Sequence, residues 1–262
     1  MNNHEKLAHN KSVYEGQTMF SKDGEEFVII EYTNTRKVSV QFTETGYVVQ
    51  TTLDNARKGS VRDKMLPTAH GVGVMGEQRG HINGVPLTEY ILWSSMLGRC
   101  YSNNRLRKQQ SYSLCDVSDN FKYFPYFKEW CNTQVGFKSL DDKGKAFALD
   151  KDILVKGNKL YSEDTCCFVP EEINSLFIKS SSCKITKGLG VYFHRRVKKY
   201  AATIGMYGKS RHLGYFDTPE EAFYVYKTNK EVYIKEMANK WKDQIDHRTH
   251  EALMNWEIEI TD

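Results

Sequence analysis

Paired cysteine motifs, long apolar runs and prolines are scarce in this chain, and each shortage narrows the reading. Its six cysteines, Cys100, Cys115, Cys131, Cys166, Cys167 and Cys183, never form a C-x-x-C pair. A zinc knuckle is not indicated, and free, mostly buried thiols in a reducing compartment are expected. No apolar run approaches the ~20 residues of a membrane span, and the opening MNNHEKLAHNKS lacks the hydrophobic segment of a secretory signal. The sequence therefore predicts a soluble, cytoplasmic protein with no membrane partner. Only five prolines occur, and several mark a change of pattern. At 262 residues and 40% hydrophobic, the chain has material for roughly two packed domains, with one or three open.

Acidic residues are missing where basic ones gather. The net charge is only +4, yet Ser181–His212 carries Lys184, Lys187, Arg195, Arg196, Lys198, Lys199, Lys209 and Arg211 with no Asp or Glu. Tyr192, Phe193, Tyr200 and Tyr207 are interleaved with these cations. A charge run is commonly a solvated face; one so one-sided and so aromatic points to a polyanion partner.

Periodicity divides the chain. EEFVIIEY, KVSVQF and YVVQTTL alternate apolar and polar residues and read as a β-meander in a small barrel-like domain, residues 1–72. Residues 73–89 read as a glycine-rich linker. Gly71, Gly73 and Gly76 satisfy G-x-G-x-x-G, but both flanks are loop-like, without the strand and helix a dinucleotide site needs. Leu92, Trp93, Met96, Leu97 and Cys100 recur at helical spacing, as do Phe124, Phe127, Trp130 and Cys131. A strand at FALDKDIL, a KGNK turn, a strand at TCCFVP and a helix from PEEINSLF follow. Three strands with basic turns then lead into a long helix from Pro219, with Thr218 as N-cap and Glu221 completing a capping box. The predicted class is α+β.

The last segment resembles AP2-type DNA-binding domains through Gly190-Val191, Tyr200-Ala201-Ala202-x-Ile204, Leu213-Gly214-x-Phe216-x-Thr218-x-Glu220-Glu221-Ala222 and Tyr226. The resemblance implies that a three-stranded sheet over residues 186–262 enters the major groove while a helix packs behind it. Tyr192, His194, Thr203 and His212 would then occupy the open face, with Arg195, Arg196, Lys198, Lys199, Lys209 and Arg211 at its turns and edges. Tyr192 and His194 stand where family members usually place arginines, and one residue is inserted in the first turn, so no target sequence can be carried over.

Residues 90–185 resemble the HNH nucleases that precede AP2-type domains in phage homing endonucleases and related mobile-element proteins. W-x-x-M-L-x-R-C-Y, F-x-x-F-x-x-W, L-D-K-D-I-L, G-N-K-x-Y-S and C-x-F-V-P-x-x-I-N carry this likeness. It implies a ββα module in which Asp150, Asp152, Asn158 and Asn174 are candidate ligands for Mg²⁺. Lys151 stands where the water-activating histidine is expected, and a lysine flanked by two aspartates is held as an ammonium. The expectation is a duplex-DNA-binding protein of phage or mobile-element origin, in a host cell, whose HNH-like module does not cut. The alternatives are a Mg²⁺-dependent homing or nicking endonuclease, and a factor that binds a host or phage protein through residues 1–72.

Overall fold

Alternating apolar residues in the first hundred positions build a sheet whose inner face is a core of Phe27, Ile29, Tyr32, Val38, Val40 and Phe42. The computed structural model describes residues 3–102, 114–177 and 190–260. Cys183, Lys184, Lys187 and the boundary expected at 185/186 lie outside the described residues. The protein is a mixed α+β chain forming two compact units, residues 1–110 with 122–127, and residues 111–121 with 128–262. No helix among the described residues is long and apolar enough to cross a membrane.

In the first unit, α1 (Asn3–Tyr14) precedes β1 (Thr18–Phe20), β2 (Glu26–Asn34), β3 (Lys37–Phe42) and β4 (Val48–Thr51). The strands pair antiparallel in chain order. The barrel-like expectation is corrected here: β1 and β4 are edges, and the described sheet is open. These edge strands have three and four residues, and closure would require a pairing between them. Helices cover the inner face instead. Tyr14 of α1 packs on the core, and α2 (Leu53–Arg57), N-capped by Thr52, contributes Leu53 and Ala56 to it.

The glycine-rich stretch holds two small hairpins, β5 (Pro67–Ala69) with β6 (Gly73–Val74), and β7 (His81–Ile82) with β8 (Val85–Pro86). Its glycines serve packing. A Cβ on Gly73 would overlap Leu97 and the Trp93 indole of α3 (Thr88–Tyr101), while Gly76, at φ +59°, lies against Tyr123.

The second unit begins with β9 (Asp116–Val117) and α4 (Asp119–Lys122); α5 (Phe124–Thr133) ends within it. β10 (Ala148–Asp150) pairs antiparallel with β12 (Cys167–Val169), and between them β11 (Leu160–Tyr161) pairs parallel with β9. The short helix α6 (Glu171–Asn174) completes a ββα arrangement. Trp130 joins these pieces, its ring 4.7 Å from Phe121 and 5.8 Å from Phe168.

β13 (Val191–His194), β14 (Lys199–Met206) and β15 (Lys209–Phe216) form an antiparallel sheet with β14 central. It packs against α7 (Pro219–Trp241), whose capping box of Thr218 and Glu221 is formed. Ala222, Tyr226, Tyr233, Met237 and Trp241 are buried at the spacing of one helical face. At its far end, Trp241 meets Phe147 edge-on at 5.7 Å and donates Nε1–H to Glu172 at 3.1 Å. One long helix thus backs the sheet and anchors the ββα element. Asp246 caps α8 (His247–Met254), and Ile258 of the following tail bonds Lys227 and Glu231 of α7.

Candidate nucleic-acid interface

The sheet's open face is set by strand parity. Directly paired residues of antiparallel strands project to the same side. The pairs Val191↔Ala202 and Ala202↔Gly214 mark the helix side, since Val191 and Ala202 are buried. Tyr192↔Ala201 and Ala201↔Tyr215 therefore mark the other side, together with His194 and Thr203↔His212.

Rings cluster on this face. His212 lies 4.5 Å from Tyr215, His194 lies 5.3 Å from Tyr215 at 75°, and Tyr192 lies 6.4 Å from His194. Ala201 is fully covered beneath them. The sequence reading missed Tyr215. Residues three apart on a regular strand point to opposite faces, but register shifts between Ala202 and Thr203 leave Leu213 without a partner. This bulge turns His212 and Tyr215 to one side. A glycine inside the strand pattern, Gly214, was the available signal, and its φ in the structure is +148°.

Cations border the face unequally. Arg195, Arg196 and Lys198 lie exposed in the four-residue turn between β13 and β14, with no acidic partner among the described residues. Lys198 takes a positive φ of 57°, and its N–H donates to the carbonyl of His194 at 2.8 Å. Lys199 differs: it pairs with Asp217 at 3.0 Å. Thr203 spends its hydroxyl on the carbonyl of Gly190, at 3.3 Å. Arg211 pairs with the buried Ile204 and Lys209 with Met206, so parity carries both toward the helix side of the edge strand. The site residues thus divide: Tyr192, His194, Thr203 and His212 share the open face, while Lys209 and Arg211 lie off it.

The second hairpin turn is held away from that face. Tyr207 and Gly208 both have positive φ, as a two-residue type I′ turn requires. Tyr207 receives Tyr233 as acceptor for its N–H at 2.9 Å and donates its hydroxyl to Glu236 at 2.7 Å. Its ring also meets Tyr233 edge-on at 5.0 Å. These bonds hold Tyr207 to α7.

In the ββα element, Asp150 ends β10. Its Oδ1 accepts the N–H groups of Asp152 at 2.7 Å and Ile153 at 2.9 Å, a side-chain turn that takes the backbone out of the strand. The strand read across FALDKDIL stops at Asp150, so Asp152 lies beyond the strand end. Burial raises the Asp150 carboxyl above its usual range, with the two N–H bonds opposing the rise.

Lys151 is 3% exposed. Its Nζ donates to Asp152 at 2.6 Å and to the carbonyl of Asn158 at 3.0 Å, 5.5 Å from the centre of the Tyr161 ring. Asn158 is a loop clamp, donating Nδ2–H to the carbonyls of Lys151 and Leu160 and accepting from the Leu160 N–H. Asn174 is half-buried at the end of α6. Mg²⁺ demands a near-octahedral oxygen shell. Here Asn158 is fully committed, Asp152 holds an ammonium and one oxygen of Asp150 holds a turn, so the arrangement fits such a shell poorly. Burial also pushes the thiols of Cys166 and Cys167 up, away from thiolate chemistry.

No family model, curated protein or solved structure matches this chain.

Proposed function

We propose that the protein binds double-stranded DNA through the open face of the β13–β15 sheet, as the AP2-like residues imply. The observation that carries this reading is a face of Tyr192, His194, His212 and Tyr215 bordered by Arg195, Arg196 and Lys198. Unpaired cations at a turn suit phosphates, which position a duplex, while polar rings on the face suit base edges. α7 supports the sheet from behind, so the face is held without a ligand.

The ββα element, in this reading, is HNH-like in form and does not cut. The group at the base position is a buried lysine bound to two oxygens, and general-base chemistry needs a group ready to accept a proton. A phage or mobile-element origin goes with the same two resemblances. A second reading concerns residues 1–72. Phe20, Ile30 and Val48 are 60%, 45% and 46% exposed on the meander, which favours a host or phage protein as its partner.

Fluorescence anisotropy with labelled duplex tests the main reading. The full chain binds it, and Tyr192→Ala with His212→Ala weakens binding at least tenfold while the far-ultraviolet circular dichroism stays unchanged. Undiminished binding by that double variant would move the interface elsewhere.

A further inference from the structure

The turn after β13 fixes more than the position of its cations. The N–H of Val197 donates to Nδ1 of His194 at 3.2 Å. A nitrogen that accepts a hydrogen bond carries no proton, so in the neutral ring the hydrogen resides on Nε2. Nε2 has no protein partner among the described residues. The ring itself is held by its T-shaped contact with Tyr215 and by Tyr192. Two independent features, a backbone donor and a ring cluster, therefore set which nitrogen donates and how the ring stands.

We infer that His194 is a specificity-determining residue, presenting a tautomer-locked Nε2–H donor that reads purine N7 in the major groove. The inference rests on the duplex-binding reading above. Arg195, Arg196 and Lys198 lie in the adjoining turn and meet phosphates more strongly than a neutral imidazole does. The donor's value is therefore discrimination. Adenine and guanine both present the N7 acceptor toward the outer edge of the major groove, where a pyrimidine sets its C5 edge (a methyl group in thymine) and keeps the thymine O4 acceptor or the cytosine N4–H₂ donor nearer the groove centre. A single donor seated at the N7 position therefore separates purine from pyrimidine and leaves adenine and guanine alike. Ala201 beneath the rings presents no long side chain to hold a base edge away.

The experiment uses the full chain and a random duplex pool. Sites selected by wild-type protein contain one position restricted to purine, and replacing that purine by its 7-deaza analogue weakens binding roughly five- to tenfold. Two substitutions divide the imidazole's roles. His194→Asn keeps an oxygen near Nδ1 for Val197 and removes the Nε2 donor. His194→Gln keeps a donor near Nε2 and gives up the turn bond. His194→Asn should bind the natural and deaza duplexes equally, and His194→Gln should retain part of the preference for the natural one.

Nitrogen NMR of the free protein at mildly alkaline pH should show His194 as the Nε2–H tautomer. An Nδ1–H or mixed tautomer overturns the inference, as does a deaza penalty of the same size in wild type and His194→Asn. Either failure leaves duplex binding standing. Failure of the wild-type protein to bind any duplex in the pool would remove both.

Discussion

Lys230 lies on the buried stripe of α7, between Tyr226 and Tyr233, and is 8% exposed. No hydrogen-bond or acidic partner for it occurs among the described residues. Burial alone lowers its pKa from 10.5 to about 8. That fall corresponds to roughly 3 kcal/mol of differential stability between the two protonation states. The sign follows from proton binding. Below about pH 8 the amine is charged in folded and unfolded chains alike, and the penalty for burying the charge is complete. Between about 8 and 10.5 the unfolded chain binds more protons, so stability rises with pH. Methionine fills a similar unbranched volume without the charge. Lys230→Met should therefore stabilise the second unit by ~1–3 kcal/mol at neutral pH, and the gain should shrink by pH 10. Urea titrations of both proteins at the two pH values measure this directly. Loss of stability at neutral pH, or a gain independent of pH, would show that the ammonium is satisfied where it lies.

Other substitutions probe the separate parts of the account. Tyr226→Ala should cost about 3 kcal/mol through loss of a buried ring, whereas Tyr192→Ala should leave the urea midpoint unchanged and affect only DNA binding. Glu172→Ala removes the acceptor for Trp241 Nε1 and one of the two carboxylates that hold Lys240, the other being Asp142; amide exchange should speed up in α6 while β13–β15 keeps its protection. Wild-type protein with Mg²⁺ should leave supercoiled plasmid uncut, and Lys151→His should leave it uncut as well, because Asp150 and Asn158 are committed to the backbone rather than to a metal shell. Mg²⁺-dependent nicking by the wild-type chain, lost on Asp150→Ala, would promote the nuclease reading.

The C-terminal sheet and helix were legible because local chemistry and long-range packing agree there. Thr218, Pro219 and Glu221 mark the helix start, and alternation places Val191, Ala202 and Ile204 inside. Parity failed where the chain leaves the regular ladder. The bulge at Leu213 brought Tyr215 onto the open face, and Arg211 lies on the other side. The Asp150 side chain likewise ended its strand before Asp152. α1 shows little amphipathic periodicity, and the two-residue parallel pairing of β9 with β11 depends on contacts more than forty positions apart, a separation no local pattern encodes. In the ββα element the residue types suggested a metal shell; their hydrogen bonds show how far Asn158 and Asp150 are committed to the backbone.

The central claim is tested most directly by the salt dependence of duplex binding. Each phosphate neutralised contributes about −0.9 to the slope of log K against log salt. Wild-type protein should give a steep linear dependence, and replacing Arg195, Arg196 and Lys198 together by alanine should flatten it by up to ~3 and weaken all sequences alike. An unchanged slope in that triple variant would contradict the account, because the turn's cations would then lie away from the DNA.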